Sequence, residues 1–194
     1  LEPDRLAAFS DGVIAVIITI MVLELRPPAG TDLLALKAVL PVFLSYVLSF
    51  VYVAIYWNNH HHLLQTVRHV RGAILWANMH LLFWLSLIPF ATAWMGQNYA
   101  ASSPTAVYGV SLFMPAIAWV ILQRAIIKEH GRDDILARAL GSDLKGKLSP
   151  ILYAAGIGLA WVEPWISDVL YLTVALMWLV PDRRIERTVP SESA

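Results

Sequence analysis

The chain has 194 residues, no cysteine and a formal net charge of zero. Apolar residues make up 58% of it and charged residues 14%, against roughly 45–50% and 25% in soluble domains, so a soluble fold is excluded. The balanced charge offers no bulk field for nucleic acid, and the lack of cysteine removes disulfides, thiolate chemistry and Cys-held metals.

Six apolar segments follow one another, at about Leu6–Leu25, Leu36–Leu64, Ala73–Trp94, Ala106–Ile127, Leu148–Val162 and Trp165–Val180. Each reads as a transmembrane helix, because ~20 residues rise through a ~30 Å hydrocarbon core. The first run is too long for a signal-peptide core and has no small-residue cleavage site after it. Pro89 and Pro115 mark places where the third and fourth spans break or kink. The last two spans are short and are split by Glu163-Pro164, a pair suited to a tight helical hairpin since Pro favours a helix's first turn. The long connection Glu129–Lys147 contains Asp133–Leu140, which reads either as an amphipathic surface helix or as a solvated linker. The expected organisation is all-α: a six-helix transmembrane domain over 1–182 and a polar cytoplasmic tail over 183–194.

Charge orients the spans. Of the 14 Lys and Arg, all but Arg26 and Lys37 fall in the connections and ends on one side of a six-span alternation. Positive residues stay on the cytoplasmic side, so both termini are expected there. Trp57, Trp94, Trp165 and Trp178 lie near span ends, as an aromatic belt requires.

With that orientation, polar residues of three spans share one cytoplasmic layer: Asp11 on the first, Trp57-Asn58-Asn59-His60-His61-His62 on the second, Asn78 and His80 on the third. A charge inside a span is costly and needs a partner or a water path. One reading has Asp11 accepting hydrogen bonds from a His or Asn of the second helix, which pins the helices together. The other is a metal or proton site. Consecutive residues do not share a helix face, so His60, His61 and His62 cannot chelate one ion, and no His-x-x-x-His spacing is present. The structural reading is favoured.

The opposite side of the first helix is different. Val16 stands about 140° around from Asp11 at 100° per residue, and Gly12, Thr19, Ile20 and Leu23 fall close to its line. An apolar stripe by itself points to lipid, whereas Thr19 within it suggests another contact. Symmetric copies around an axis would form an apolar throat with a ring of hydroxyls, and such throats can gate by dewetting.

At these residues the chain resembles a known family. Arg5-x-x-x-Phe9-Ser10-Asp11 is similar to the signature opening the first helix of the transmembrane protein 175 family of potassium channels, and Trp57-x-x-His60 resembles its second helix. The resemblance spans nearly the whole chain and fits one family repeat, the prokaryotic type. It implies a homotetramer in the cell membrane, with the first helix of each subunit lining a central pore. It further implies Val16 as the narrowest ring, Ile20 and Leu23 extending it, and Thr19 as the hydroxyl layer tied to potassium preference. Arg5, Phe9, Ser10, Asp11, Trp57 and His60 would form a structural network. No cofactor is expected beyond the permeant potassium ion, and no Thr-Val-Gly-Tyr-Gly filter run is present.

Three other functions compete with this one. Gly109-Val-Ser111 with His80 superficially resembles a protease dyad, but the two should lie at opposite depths, so no enzyme is expected. Haem would need two of His60, His61, His62 and His80 as ligands. The main alternative is a proton- or cation-coupled transporter, since intramembrane Asp and His can relay protons and Pro-broken helices occur in such proteins.

Overall fold

The computed structural model describes residues 2–130 and 144–179, and every regular element among them is helical. Helix α1 (Pro3–Leu23) opens with Pro in its first turn and Asp4 beside it. Both suit a helix start, where N–H groups are unpaired and the dipole end is positive. It stops before Pro27-Pro28, which cannot continue a helix. A 3-10 turn at Leu33–Ala35, capped by Asp32 accepting from the Ala35 amide at 3.1 Å, leads into α2 (Leu36–Gln65). At 30 residues α2 rises about 45 Å, more than the hydrocarbon core needs, and its far end carries the polar run to the membrane surface.

The third span is a broken one. Helices α3 (Gly72–Ser86) and α4 (Ile88–Gln97) meet at Leu87. Pro89, lacking an N–H, cannot bond the Leu85 carbonyl, so the ladder is interrupted just before it. Helix α5 (Ser102–His130), by contrast, runs without interruption past Pro115. Of the two prolines, Pro89 breaks its helix and Pro115 does not. Helices α6 (Leu144–Leu159) and α7 (Pro164–Leu179) form the closing hairpin, its turn tied by the Glu163 amide on the Leu159 carbonyl at 2.9 Å.

Four segments, 3–23, 33–65, 72–97 and 102–129, are long and apolar enough to cross a membrane. Helices α6 and α7, with 16 residues each, complete the six. The stretch Asp133–Leu140 and the tail over 183–194 lie outside the described residues.

Two cores hold the bundle. One packs Leu6, Ile14, Ile17 and Met21 of α1 against Val53 and Leu63 of α2, Leu81 and Leu85 of α3, and Leu122 of α5. The other centres on Tyr52, Tyr108, Tyr153 and Tyr171, contributed by α2, α5, α6 and α7. Buried phenols need hydrogen-bond partners. Tyr108 shares a 2.9 Å bond with Ser49, and Tyr52 donates to the Tyr171 carbonyl.

Tyr171 is seated between two glycines. A Cβ on Gly109 would stand 2.0 Å from its hydroxyl oxygen, and one on Gly156 would stand 2.5 Å from its ring. The Gly-x-Ser spacing at Gly109 is therefore explained by packing. Gly109→Ala is expected to destabilise the bundle by about 1–3 kcal/mol, the usual cost of overpacking, read as a lower melting temperature in detergent. An unchanged melting temperature would mean that Tyr171 can leave its seat freely.

Helix α1 sits at the edge of this bundle. Its main neighbours are α2, α3 and α4, so one face is packed and the other open.

Candidate ion path and the network behind it

The packed face of α1 carries Leu6, Ser10, Ile14, Ile17 and Met21, spaced as one helical stripe. Ser10 is its polar member. Its Oγ donates to the Leu6 carbonyl at 2.8 Å and accepts from Asn78 Nδ2 of α3 at 2.9 Å. Since the Asn78 amide nitrogen is thus engaged, its Oδ1 faces His60 of α2, whose Nε2 donates at 2.7 Å. That assigns the His60 proton to Nε2. Ser10, His60 and Asn78 are each at most 1% exposed. Three helices are joined by a link whose central amide is satisfied on both its nitrogen and its oxygen, which is what a buried polar group requires.

Asp11 belongs to a second link. One residue on from Ser10, it is turned about 100° around α1, away from the Asn78 side and toward the flank of α2. There Trp57 Nε1 donates to Asp11 Oδ1 at 3.0 Å. The sequence expectation that a His or Asn of the second helix pairs with Asp11 is therefore corrected: the donor is the Trp57 indole. His60 points into the core, while Trp57 is 45% exposed on the α1 side. His61 stacks on Trp57 with ring centres 6.2 Å apart and meets Gln65 at 3.0 Å.

The structure thus brings Ser10 together with His60, and Asp11 together with Trp57. Arg5 and Phe9 stand exposed in the single subunit, outside both links. Asn78, the centre of the buried link, belongs to the polar layer that the sequence shows but is not marked there as its hub. The signal was there: an amide has no reason to sit in an apolar span unless something binds it. His80 accepts from Trp84, one turn along its own helix, at 2.9 Å, and Ser111 donates to the Tyr108 carbonyl at 2.7 Å. The supposed dyad residues are each engaged locally.

The open face of α1 carries Val16, Ile20 and Leu23, which are 53%, 45% and 78% exposed. Thr19 is exposed between them, and its hydroxyl donates to the Val16 carbonyl at 2.9 Å. The proton is spent on the helix, which leaves the oxygen lone pairs free to accept. Beside this face an open groove of about 1020 Å³ runs between α1 and α4, walled by Val16 and Ile20 on one side and Pro89, Phe90 and Trp94 on the other. Apolar surface this extensive, left bare on one helix, marks a contact with lipid or with another protein surface.

Comparison with known proteins bears on which. Residues 5–89 match the family model described as the endosomal/lysosomal potassium channel TMEM175. A potassium channel of Chryseobacterium sp. (strain P1-3) is 54% identical over 185 residues, covering 95% of this chain and 96% of the relative. A potassium channel of Streptomyces collinus is 29% identical, with 98% and 99% of the two chains covered. Among solved structures, the crystal structure of a lysosomal potassium-selective channel TMEM175 homolog from Chamaesiphon minutus superposes with a TM-score of 0.79. The two share 26% identity, and the match covers 92% of this chain and 96% of that one.

Proposed function

The chain belongs to the TMEM175 family of potassium channels, and on that premise we propose that it conducts potassium across a prokaryotic cell membrane as a homotetramer. The family is one of channels and not of enzymes. The observation that carries the finer reading is the division of α1 into two faces. One face is locked to α2 and α3 by the Ser10–Asn78–His60 link. The other, apolar apart from Thr19, is left open by its own subunit.

Four copies of that open face around an axis would line a pore. Val16, Ile20 and Leu23 would form rings whose apolar walls hold water poorly when narrow. Thr19 would supply the hydroxyl layer. Its proton already goes to the Val16 carbonyl, so what it offers a passing cation is an oxygen lone pair, the hard donor that potassium's hydration shell also provides. The groove between α1 and α4 would then receive the neighbouring subunit. Both termini would lie on the cytoplasmic side, in line with the placement of every Lys and Arg except Arg26 and Lys37.

The test is electrical. Purified protein in a planar bilayer, with potassium on one side and sodium on the other, is expected to give step-like unitary currents. Their reversal potential should be displaced toward that of potassium. Slow, saturable uptake without unitary steps would point instead to a coupled transporter.

A further inference from the structure

Besides Asp11, the helices bury part of a second carboxylate, Asp168, in the second turn of α7. Its Oδ1 is shielded from solvent and has no hydrogen-bond partner. Among the described residues the other such side-chain oxygen is Thr105 Oγ1, in the first turn of α5, on a residue that is 0% exposed. The two belong to facing surfaces. Tyr171, one turn beyond Asp168, donates to the Thr105 carbonyl at 3.3 Å, and its ring meets Tyr108, one turn beyond Thr105, edge-on at 5.8 Å. Thr105 and Tyr108 on α5 are thereby set opposite Asp168 and Tyr171 on α7.

The two orphaned oxygens thus belong to facing helices and do not bond each other. Tyr171 is seated between Gly109 of α5 and Gly156 of α6, which fixes how α7 lies against both helices. The hydroxyls of Tyr108 and Tyr171 lie within reach of the Asp168 charge, and among the described residues no basic side chain forms an ion pair with it. An unpaired carboxylate in a span is expensive and marks an ion or proton pathway by default. Every donor offered is an oxygen, the ligand type for hard cations, and a single carboxylate balances a single positive charge.

We propose that Asp168 and Thr105 form a site for one alkali cation, which ties α5 to α7. The site is separate from α1, whose main neighbours are α2, α3 and α4, whereas α7 packs on α2, α5 and α6. It lies about 6 Å of helix rise below the start of α7, within reach of the aqueous phase on the side opposite the polar layer. Occupancy stabilises the subunit and needs no conduction, so its test is independent of the channel reading.

The experiment is the melting temperature of the full chain in detergent, at one ionic strength, in potassium, sodium or N-methylglucamine chloride. Wild type is expected to melt several degrees higher in one or both alkali salts, as a ligand held by the folded state alone requires. Asp168→Asn should melt alike in all three. Thr19→Val should keep the wild-type response, which separates this site from any cation in the pore. Wild type that melts alike in the three salts but gains stability in N-methylglucamine on going from about pH 8 to about pH 5, a gain absent in Asp168→Asn, would show a carboxyl that takes up a proton and would overturn the site. The titratable groups that feel Asp168 are Tyr108 of α5 and Tyr171 of α7, and the tyrosine core behind them adds Tyr52 of α2 and Tyr153 of α6. Phenols ordinarily titrate near pH ~10, outside that window. Thr105→Val keeps the carboxylate and should need severalfold more cation for the same stabilisation; it is the deciding variant where Asp168→Asn does not fold. A variant pair that follows wild type in every salt and at both pH values overturns the site.

Discussion

Val16→Asn is expected to carry a severalfold larger unitary current than the wild-type protein. A narrow ring of apolar side chains excludes water because the wall returns no hydrogen bonds, so an ion arriving there must shed its hydration shell or stop. Asn is close to isosteric with Leu and places an amide, with two donors and an acceptor, at each position. Four of them would hold a water file where four valines do not. Position 16 tolerates the change because its side chain is 53% exposed in the single subunit and takes no part in either polar link. Val is β-branched and stiff at χ1 in a helix, so a ring of four Val16 side chains would have little freedom to widen by rotamer changes. The measurement is single-channel conductance in symmetric potassium, with gel filtration to confirm normal assembly. Unaltered current from a correctly assembled protein would remove Val16 from the pore lining.

How far the sequence anticipates this structure depends on the range of the interaction involved. The spans are legible because lipid imposes one rule along a continuous run, and the Lys and Arg placement adds a second, independent rule. The two faces of α1 are legible because the 100° step is local. The partition of Ser10 and Asp11 between different partners is not. Both lie in one polar layer, and depth alone cannot say that Asn78 meets Ser10 while Trp57 meets Asp11. That needs the rotation of α1 against α2 and α3. The helix break at Leu87 is not legible for a similar reason: Pro89 and Pro115 are alike in sequence, and only the surrounding packing decides which interrupts its span. The tyrosine core was hidden altogether, since its four rings come from four helices far apart in the chain.

The largest stability effect should come from Asn78 and not from the more conspicuous Asp11. Asn78→Ala removes both the Nδ2 bond to Ser10 and the Oδ1 bond from His60. It also leaves the His60 N–H buried with nothing to receive it, at a site where His60 and Ser10 are at most 1% exposed. A lost buried partner typically costs ~1–3 kcal/mol, and the vacated amide volume adds to that, so a total of about 2–4 kcal/mol is expected. The Trp57–Asp11 bond lies at the exposed edge of the subunit, where water or a neighbouring chain can substitute. Asp11→Asn keeps an acceptor oxygen and should be nearly neutral. Thermal melts in detergent would rank the two. A double-mutant cycle of Asn78→Leu with His60→Leu gives the sharper measurement, because replacing both ends of a buried bond by apolar groups costs less than replacing one. Strictly additive losses would show that His60 and Asn78 are neighbours without being energetically linked, and the anchoring of α1 would then have to rest on its apolar stripe alone.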